Sequence, residues 1–435
     1  MEDHGPKVAS SADMRPRVGL PTIAILVAAC PDRSIEKVEP NEGVTFTQSF
    51  GREAPRDVDL VFVIDSSGSM YEEQEGLSRA FPGFVRSLKR IGATRWRIGV
   101  TTTDLGGFGY SLPGCRGEGD GGRLLQGTRN ATCSGYEGEW LWFDNGVTNA
   151  LGGDPAAAFG CVARVGIDGC TFEMPLGSAR RVVERLVATS ALRPDSLFGV
   201  IVVTDEDDCS VDDPSLLDPS DDSMGPVTSF RCFAQGVSCG EGPSDPSFPG
   251  LRGSCGSSGS YLEVPEALSS LLGSLRSTSK QQVMLAVIAG PPSPVEVLLD
   301  GGTRPILAPS CRSPLGSAAP GIRLAEAVTG MGRDGLLLSI CDGDFGPALQ
   351  AIGKRIHEAL ASRCLARRPK DMSPELPGLQ EDCVIVADGK RVPACSSGEP
   401  TSACYRLRED AACASGVLLE LSATEVNLAC TGGGP

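Results

Sequence analysis

Five short, nearly unbroken runs of Val, Ile and Leu recur through the chain and limit its fold more than any other feature. They are Val58–Ile64, Ile98–Thr102, Phe198–Val203, Val283–Ala289 and Leu336–Ile340. Runs without polar alternation belong to strands covered on both faces, the condition of a parallel sheet sandwiched by helices. Helical periodicity lies between them. Leu77, Phe81, Phe84, Val85, Leu88 and Ile91 share one helix face, with Pro82 a point where that helix kinks or restarts. Leu176, Ala179, Val182, Val183 and Leu186 share a second face, and Leu349, Ile352, Ile356 and Leu360 a third. The alternation predicts an α/β fold with a doubly wound, mainly parallel sheet over about residues 57–364. Two segments, about 104–170 and 206–260, break the rhythm with Gly, Pro, Asp, Ser and Cys, and read as disulfide-braced insertions. Residues 365–435 change character again. Their six cysteines, the Asp388-Gly389 turn signal and the runs Val384–Val386 and Val417–Leu421 predict a small cysteine-rich β module.

The first run ends in Asp65-Ser66-Ser67-Gly68-Ser69-Met70. In an open α/β sheet the carboxyl ends of the strands form the ligand crevice, so Asp65, Ser67 and Ser69 stand where a ligand would sit. One carboxylate and two hydroxyls are hard oxygen donors that suit Mg²⁺, Mn²⁺ or Ca²⁺. Capping of the following helix explains one of these residues, not all three. The segment resembles the DxSxS signature that opens the metal-ion-dependent adhesion site of von Willebrand factor A-type domains. That resemblance implies a further metal-binding Asp at a later strand end, here Asp205 after Ile201–Thr204, and a hydroxyl from a loop preceding a helix. The matching loop, Gly169–Leu176, departs from the family's Thr-x-Thr-Gly pattern; Thr171 is the expected hydroxyl and Glu173 its rival. It also implies a non-enzymatic binding domain whose cation takes an Asp or Glu from a partner protein. The neighbouring Glu206, Asp207 and Asp208, and the acidic stretch 212–222, read first as solvated loops.

The N-terminus reads as an address. Arg15 and Arg17 precede the apolar stretch Val18–Ala29, too short to span a bilayer, which needs about 20 apolar residues. Val27-Ala28-Ala29-Cys30 resembles a bacterial lipobox, which implies a signal peptide over 1–29 with Met14 a possible start, lipid on Cys30, and a location in the cell envelope. Residues 31–56 then read as a polar tether. Setting Cys30 aside leaves sixteen cysteines, an even number suited to disulfides in an oxidising space. Ten of these are Cys115, Cys133, Cys161, Cys170, Cys209, Cys232, Cys239, Cys255, Cys311 and Cys341. The remaining six are Cys364, Cys383, Cys395, Cys404, Cys413 and Cys430. Sequence proximity suggests pairs such as Cys161/Cys170 and Cys404/Cys413.

Composition excludes much else. A net charge of −16 argues against nucleic-acid binding. The two histidines, His4 and His357, starve a Ser-His-Asp triad and rule out a multi-histidine zinc site. His357 reads as a helix-face residue, and the aromatics Tyr136, Trp140, Trp142 and Phe143 as packing within the first insertion. The expectation is a lipid-anchored, cation-dependent protein-binding module. A metal-dependent hydrolase and a structural envelope lipoprotein with a stabilising metal are the alternatives.

Overall fold

The computed structural model describes residues 45–432 apart from 51–56, 91–92, 94, 130–131, 194–195, 280–281, 377–378, 397–399, 401–402, 410–414, 422 and 424–425. The expected signal peptide, Cys30 and most of the tether lie outside the described residues, as do Cys413 and the side chain of Cys364.

All five apolar runs are strands. In chain order the main elements are β1 (Asp57–Ile64), α1 (Tyr71–Arg90), β2 (Arg95–Thr102), β3 (Leu141–Asp144), β4 (Val147–Thr148), α2 (Pro155–Val162), α3 (Pro175–Ala188), β5 (Leu197–Val203), α4 (Glu266–Ser279), β6 (Gln282–Ala289), α5 (Ile322–Gly330), β7 (Gly335–Ser339) and α6 (Gly346–Ala361). The sheet runs β7-β6-β5-β1-β2-β3-β4. Five neighbouring strands are parallel, and β3 and β4 add an antiparallel edge.

Alternation along β1 divides the core. Val58, Leu60, Phe62 and Ile64 pack under α1, α2 and α6, where Phe81 stacks on Phe159 at 3.5 Å between ring centroids. Val61 and Val63 point the other way, onto α3, α4 and α5. This helix–sheet–helix sandwich is the mixed α/β architecture the runs predict. Pro82 lies inside α1, which runs through it.

The insertions are more ordered than their composition suggests. Within 104–170 the β3–β4 hairpin joins the central sheet, turning at Asn145-Gly146 with both residues at positive φ. Helix α2 opens on Asp154, which caps it, and Pro155. The aromatics pack onto the main sheet, not merely among themselves. Phe143 stacks on Trp96 of β2 and Arg97 lies over Trp140, while Trp142 stays exposed. Within 206–260, strands Val237–Glu241 and Gly250–Ser257 pair with each other, and a four-stranded sheet continues through Val295–Asp300 and Arg304–Leu307.

Among the described residues seven disulfides are present, and they correct the near-neighbour pairs. Cys161 joins Cys133, Cys170 joins Cys115, and Cys404 joins Cys395, because the partners meet through folded loops and not through proximity in the chain. The others are Cys209–Cys232, Cys239–Cys255, Cys311–Cys341 and Cys383–Cys430. Beyond α6, Cys383–Ala387, Lys390–Val392 and Val426–Thr431 form a sheet whose remaining strand is Thr45–Phe50, a segment read above as tether. It has its own apolar cluster, including Phe46, Ile385, Val426 and Leu428. Among the described residues no helix is long and apolar enough to cross a membrane.

Candidate metal-binding face

Chain order moves outward from β1 to β2, then restarts on the other side of β1 with β5. The crevice between β1 and β5 is therefore the topological switch point, where open α/β sheets bind ligands. Register fixes what stands there. Ile64 pairs with Thr102 on one side and Val203 on the other, so Asp65, Thr103 and Thr204 follow at one level. The Asp65 amide donates to the Val203 carbonyl at 2.9 Å, locking the turn to β5.

Asp65 is fully buried. Its Oδ2 accepts from the Thr204 hydroxyl at 2.6 Å and its Oδ1 from the Ser67 amide at 2.7 Å. Gln74 of α1 donates at 2.9 Å to both the Asp65 and Gly166 carbonyls, tying the loop to the segment before Gly169. Ser67 and Ser69 hold their hydroxyl oxygens 3.0 Å apart, and Ser69 also reaches Asp205. The structure thus brings Asp65, Ser67, Ser69 and Asp205 into one cluster.

It separates the two rivals from the later loop. Thr171 is exposed and its hydroxyl donates outward to the Pro113 carbonyl at 3.3 Å. Glu173 turns inward, 1% exposed, with Oε2 accepting from Thr103 and its carboxyl near enough to feel the Asp65 charge. The Cys115–Cys170 disulfide and a tight approach of Gly169 to Ser66 set this loop; a Cβ on Gly169 would collide with Ser66.

Burial drives the acids of this face toward their protonated forms. It raises Glu173 well above the usual range, helped by the nearby Asp65 charge, and raises Asp65 itself despite its hydrogen bonds. Burial, then the charges of Asp65 and Glu206, push Asp205 up to about 9. Burial also lifts Glu206 to about 7, and Glu73, on the first turn of α1, to about 7. Three buried carboxylate oxygens among the described residues, Glu73 Oε2, Glu173 Oε1 and Asp205 Oδ1, have no hydrogen-bond partner. Carboxylates are left this way at a cost of a few kcal/mol unless a proton or cation meets them. The residues fit a hard divalent cation held by a mixed set of hydroxyls and carboxylates. Among the described residues no three acidic, histidine or cysteine side chains form such a cage by themselves.

The acids after Asp205 are not solvated. Asp207 accepts the amides of Arg323 (3.1 Å) and Leu324 (3.2 Å) at the start of α5. Asp208 accepts the Leu176 amide at 3.0 Å at the start of α3 and pairs with buried Arg323 at 3.2 Å. Both serve as caps for helices distant in sequence. In the stretch 212–222, Leu216 and Leu217 are buried, and the backbone wraps buried Arg231, which donates to the carbonyls of Leu216, Asp218, Asp221 and Gly225. His357 lies on α6, as its neighbours predict.

No protein-family model matches the chain, and no curated protein matches it. Solved structures overlap it weakly. A D319A mutant of the PilB minor pilin from Streptococcus sanguinis is 14% identical with a TM-score of 0.32, over 69% of this chain and 62% of the pilin. Manganese-loaded TRAP protein from Plasmodium vivax is 10% identical with a TM-score of 0.30, over 72% and 77%. A von Willebrand factor type A protein from Catenulispora acidiphila is 10% identical with a TM-score of 0.29, over 90% and 66%. The chain's own loop residues, not these overlaps, carry the functional reading.

Proposed function

We propose that this chain is an exported protein-binding module that works through a divalent cation, Mg²⁺, Mn²⁺ or Ca²⁺, at the β1–β5 crevice. Asp65, Ser67, Ser69 and Asp205 would hold it, directly or through water. The cation, when bound, supplies a local positive charge and a coordination position for an outside oxygen. The partner is a protein presenting Asp or Glu, and no bond is made or broken. The chain's residues do the rest. Thr204 and the Ser67 amide orient Asp65, Gln74 fixes the loop backbone, and the buried Thr103 level keeps water from beneath the site. The protein's net −16 charge would repel such a partner, so attraction must be local. Lipid on Cys30, a signal peptide before it and a location in the cell envelope complete the reading; the disulfides agree with an oxidising compartment. Residues 365–435 would then act as a disulfide-braced base for the binding domain.

The unpartnered buried oxygen on Asp205, one of the four residues that would hold the cation, supports this reading most directly. Titration calorimetry of the full chain with magnesium, manganese and calcium chlorides tests it. At least one salt should give saturable heat, lost in Asp65→Ala while the near-ultraviolet circular dichroism is kept. No heat from any of the three overturns it.

A further inference from the structure

We propose that a cavity beside the crevice is a binding site for a small organic ammonium ion, a primary amine on a compact apolar stem. The cavity measures about 230 Å³. An apolar cavity of about 150 Å³ suffices for benzene, so there is room for a ring and a short stem. Its walls are the loop after β5, the short helix Phe230–Gly236, the strand Arg304–Leu307 and the start of α5. The Cys209–Cys232 bridge ties the first two walls together covalently. Ala319, also in the wall, donates its amide to the Asp205 carbonyl at 2.8 Å. None of Asp65, Ser67, Ser69 and Asp205 lines the cavity, so the inference stands apart from the cation reading.

The lining sets what fits. Phe230, Phe233, Ile306 and Leu307 supply an apolar surface for the stem, and aromatic faces attract a cation. The basic side chains in the wall are engaged elsewhere. Arg323 is buried on Asp208 and on the Gly236 and Glu263 carbonyls, and Arg304 is exposed and paired with Asp300. Asp207 is likewise taken up by the amides at the start of α5. Two polar groups remain. Glu206 has the Ser229 hydroxyl for company but no Lys or Arg partner among the described residues. The Thr228 hydroxyl oxygen is shut off from solvent with no hydrogen-bond partner. A carboxylate and an unused hydroxyl oxygen are acceptors, and a primary ammonium brings three donors to them. A quaternary ammonium has no donor for Thr228, and a ligand carboxylate would be set against Glu206.

The test uses the full chain in chelator at pH 8, where Glu206 carries its charge, with isotope-labelled Ile and Leu methyl groups followed by nuclear magnetic resonance. Ile306, assigned by the loss of its signal in Ile306→Val, is the local reporter. Phenethylammonium chloride should move that signal saturably. Phenethyl alcohol has the same shape without the charge, and its half-saturation should need at least about tenfold more ligand. Glu206→Gln should weaken the response to the ammonium salt by the same factor, the size of a hydrogen bond made by a charged group. Thr228→Val should weaken it about threefold, the loss of a neutral hydrogen bond. No saturable movement with the ammonium salt, an equal response to the alcohol, or a response to the carboxylate analogue hydrocinnamate in its place overturns the proposal. So does an unchanged response in Glu206→Gln. If that variant fails to fold, the alcohol and Thr228→Val decide the matter on the same terms.

Discussion

The two ends of β1 treat buried acids in opposite ways. At the entering end, Asp57 and Asp59 are buried and fully matched. Arg95 grips Asp57 at 2.7 Å, Arg97 holds Asp59 at 2.8 Å, and Arg193 spans both, reaching Asp57 at 3.1 Å and Asp59 Oδ1 at 2.8 Å. At the leaving end, Asp65, Glu173 and Asp205 have hydroxyls and amides for company but no Lys or Arg ion pair among the described residues. This fold evidently can neutralise a buried carboxylate with arginine. It does so at the entering end and leaves the acids of the leaving end without a basic partner among the described residues, where burial favours their protonated forms. A guanidinium there would be permanent, whereas the proposed cation would leave room for a ligand.

The sharpest way to break this contrast is Asp59→Ala. It strands Arg97 and Arg193 against a buried surface and should cost about 3–5 kcal/mol in urea unfolding, the usual loss when half of a buried pair is removed. Asp205→Asn in chelator should move stability the other way. A small loss for Asp59→Ala would show that the two ends do not differ in kind.

Next in size is the pH response without metal. Glu73, Glu206 and Asp205 sit at about 7, 7 and 9, above ordinary values of 3.8 to 4.5. Their native forms hold protons more tightly than the unfolded chain, so their stabilising contribution is complete at low pH. It is lost as pH rises through these values. The melting temperature in chelator should fall from pH 5 to pH 9, with a shallower fall in Asp205→Asn or with saturating manganese. A melting temperature that rises over this range would contradict the unpaired end.

The smallest expected effect belongs to Thr171→Ala. Its hydroxyl serves a surface carbonyl, so stability should stay within about 0.5 kcal/mol, and manganese affinity should be nearly unchanged. A large drop in affinity would return Thr171 to the site as the expected hydroxyl.

Much of this was legible beforehand. The strands announced themselves because β1, β5 and β6 are buried on both faces and carry no polar alternation. The Asp65, Ser67 and Ser69 spacing is local, so it survives reading in one dimension. The hairpin of β3 and β4 was missed although Asn145-Gly146 is a strong turn signal, because Gly and Pro on both sides masked it. Strand Gly250–Ser257 has no β-like pattern at all and is held by its partners and the Cys239–Cys255 bridge. Which of Thr171 and Glu173 turns inward depends on Thr103 and Cys115, both distant in the chain. The acids Asp207 and Asp208 looked solvated for the same reason: the helix starts they cap begin at Ile322 and Pro175.

The pairing of Thr45–Phe50 with Val426–Thr431 also has a mechanical side. Tension entering through the N-terminal segment would load this six-residue ladder in shear before it strained the central sheet, and the Cys383–Cys430 bridge staples the receiving strand to its neighbour. Such a load would be taken first by this ladder and its bridge, in a sheet separate from the one that carries Asp65.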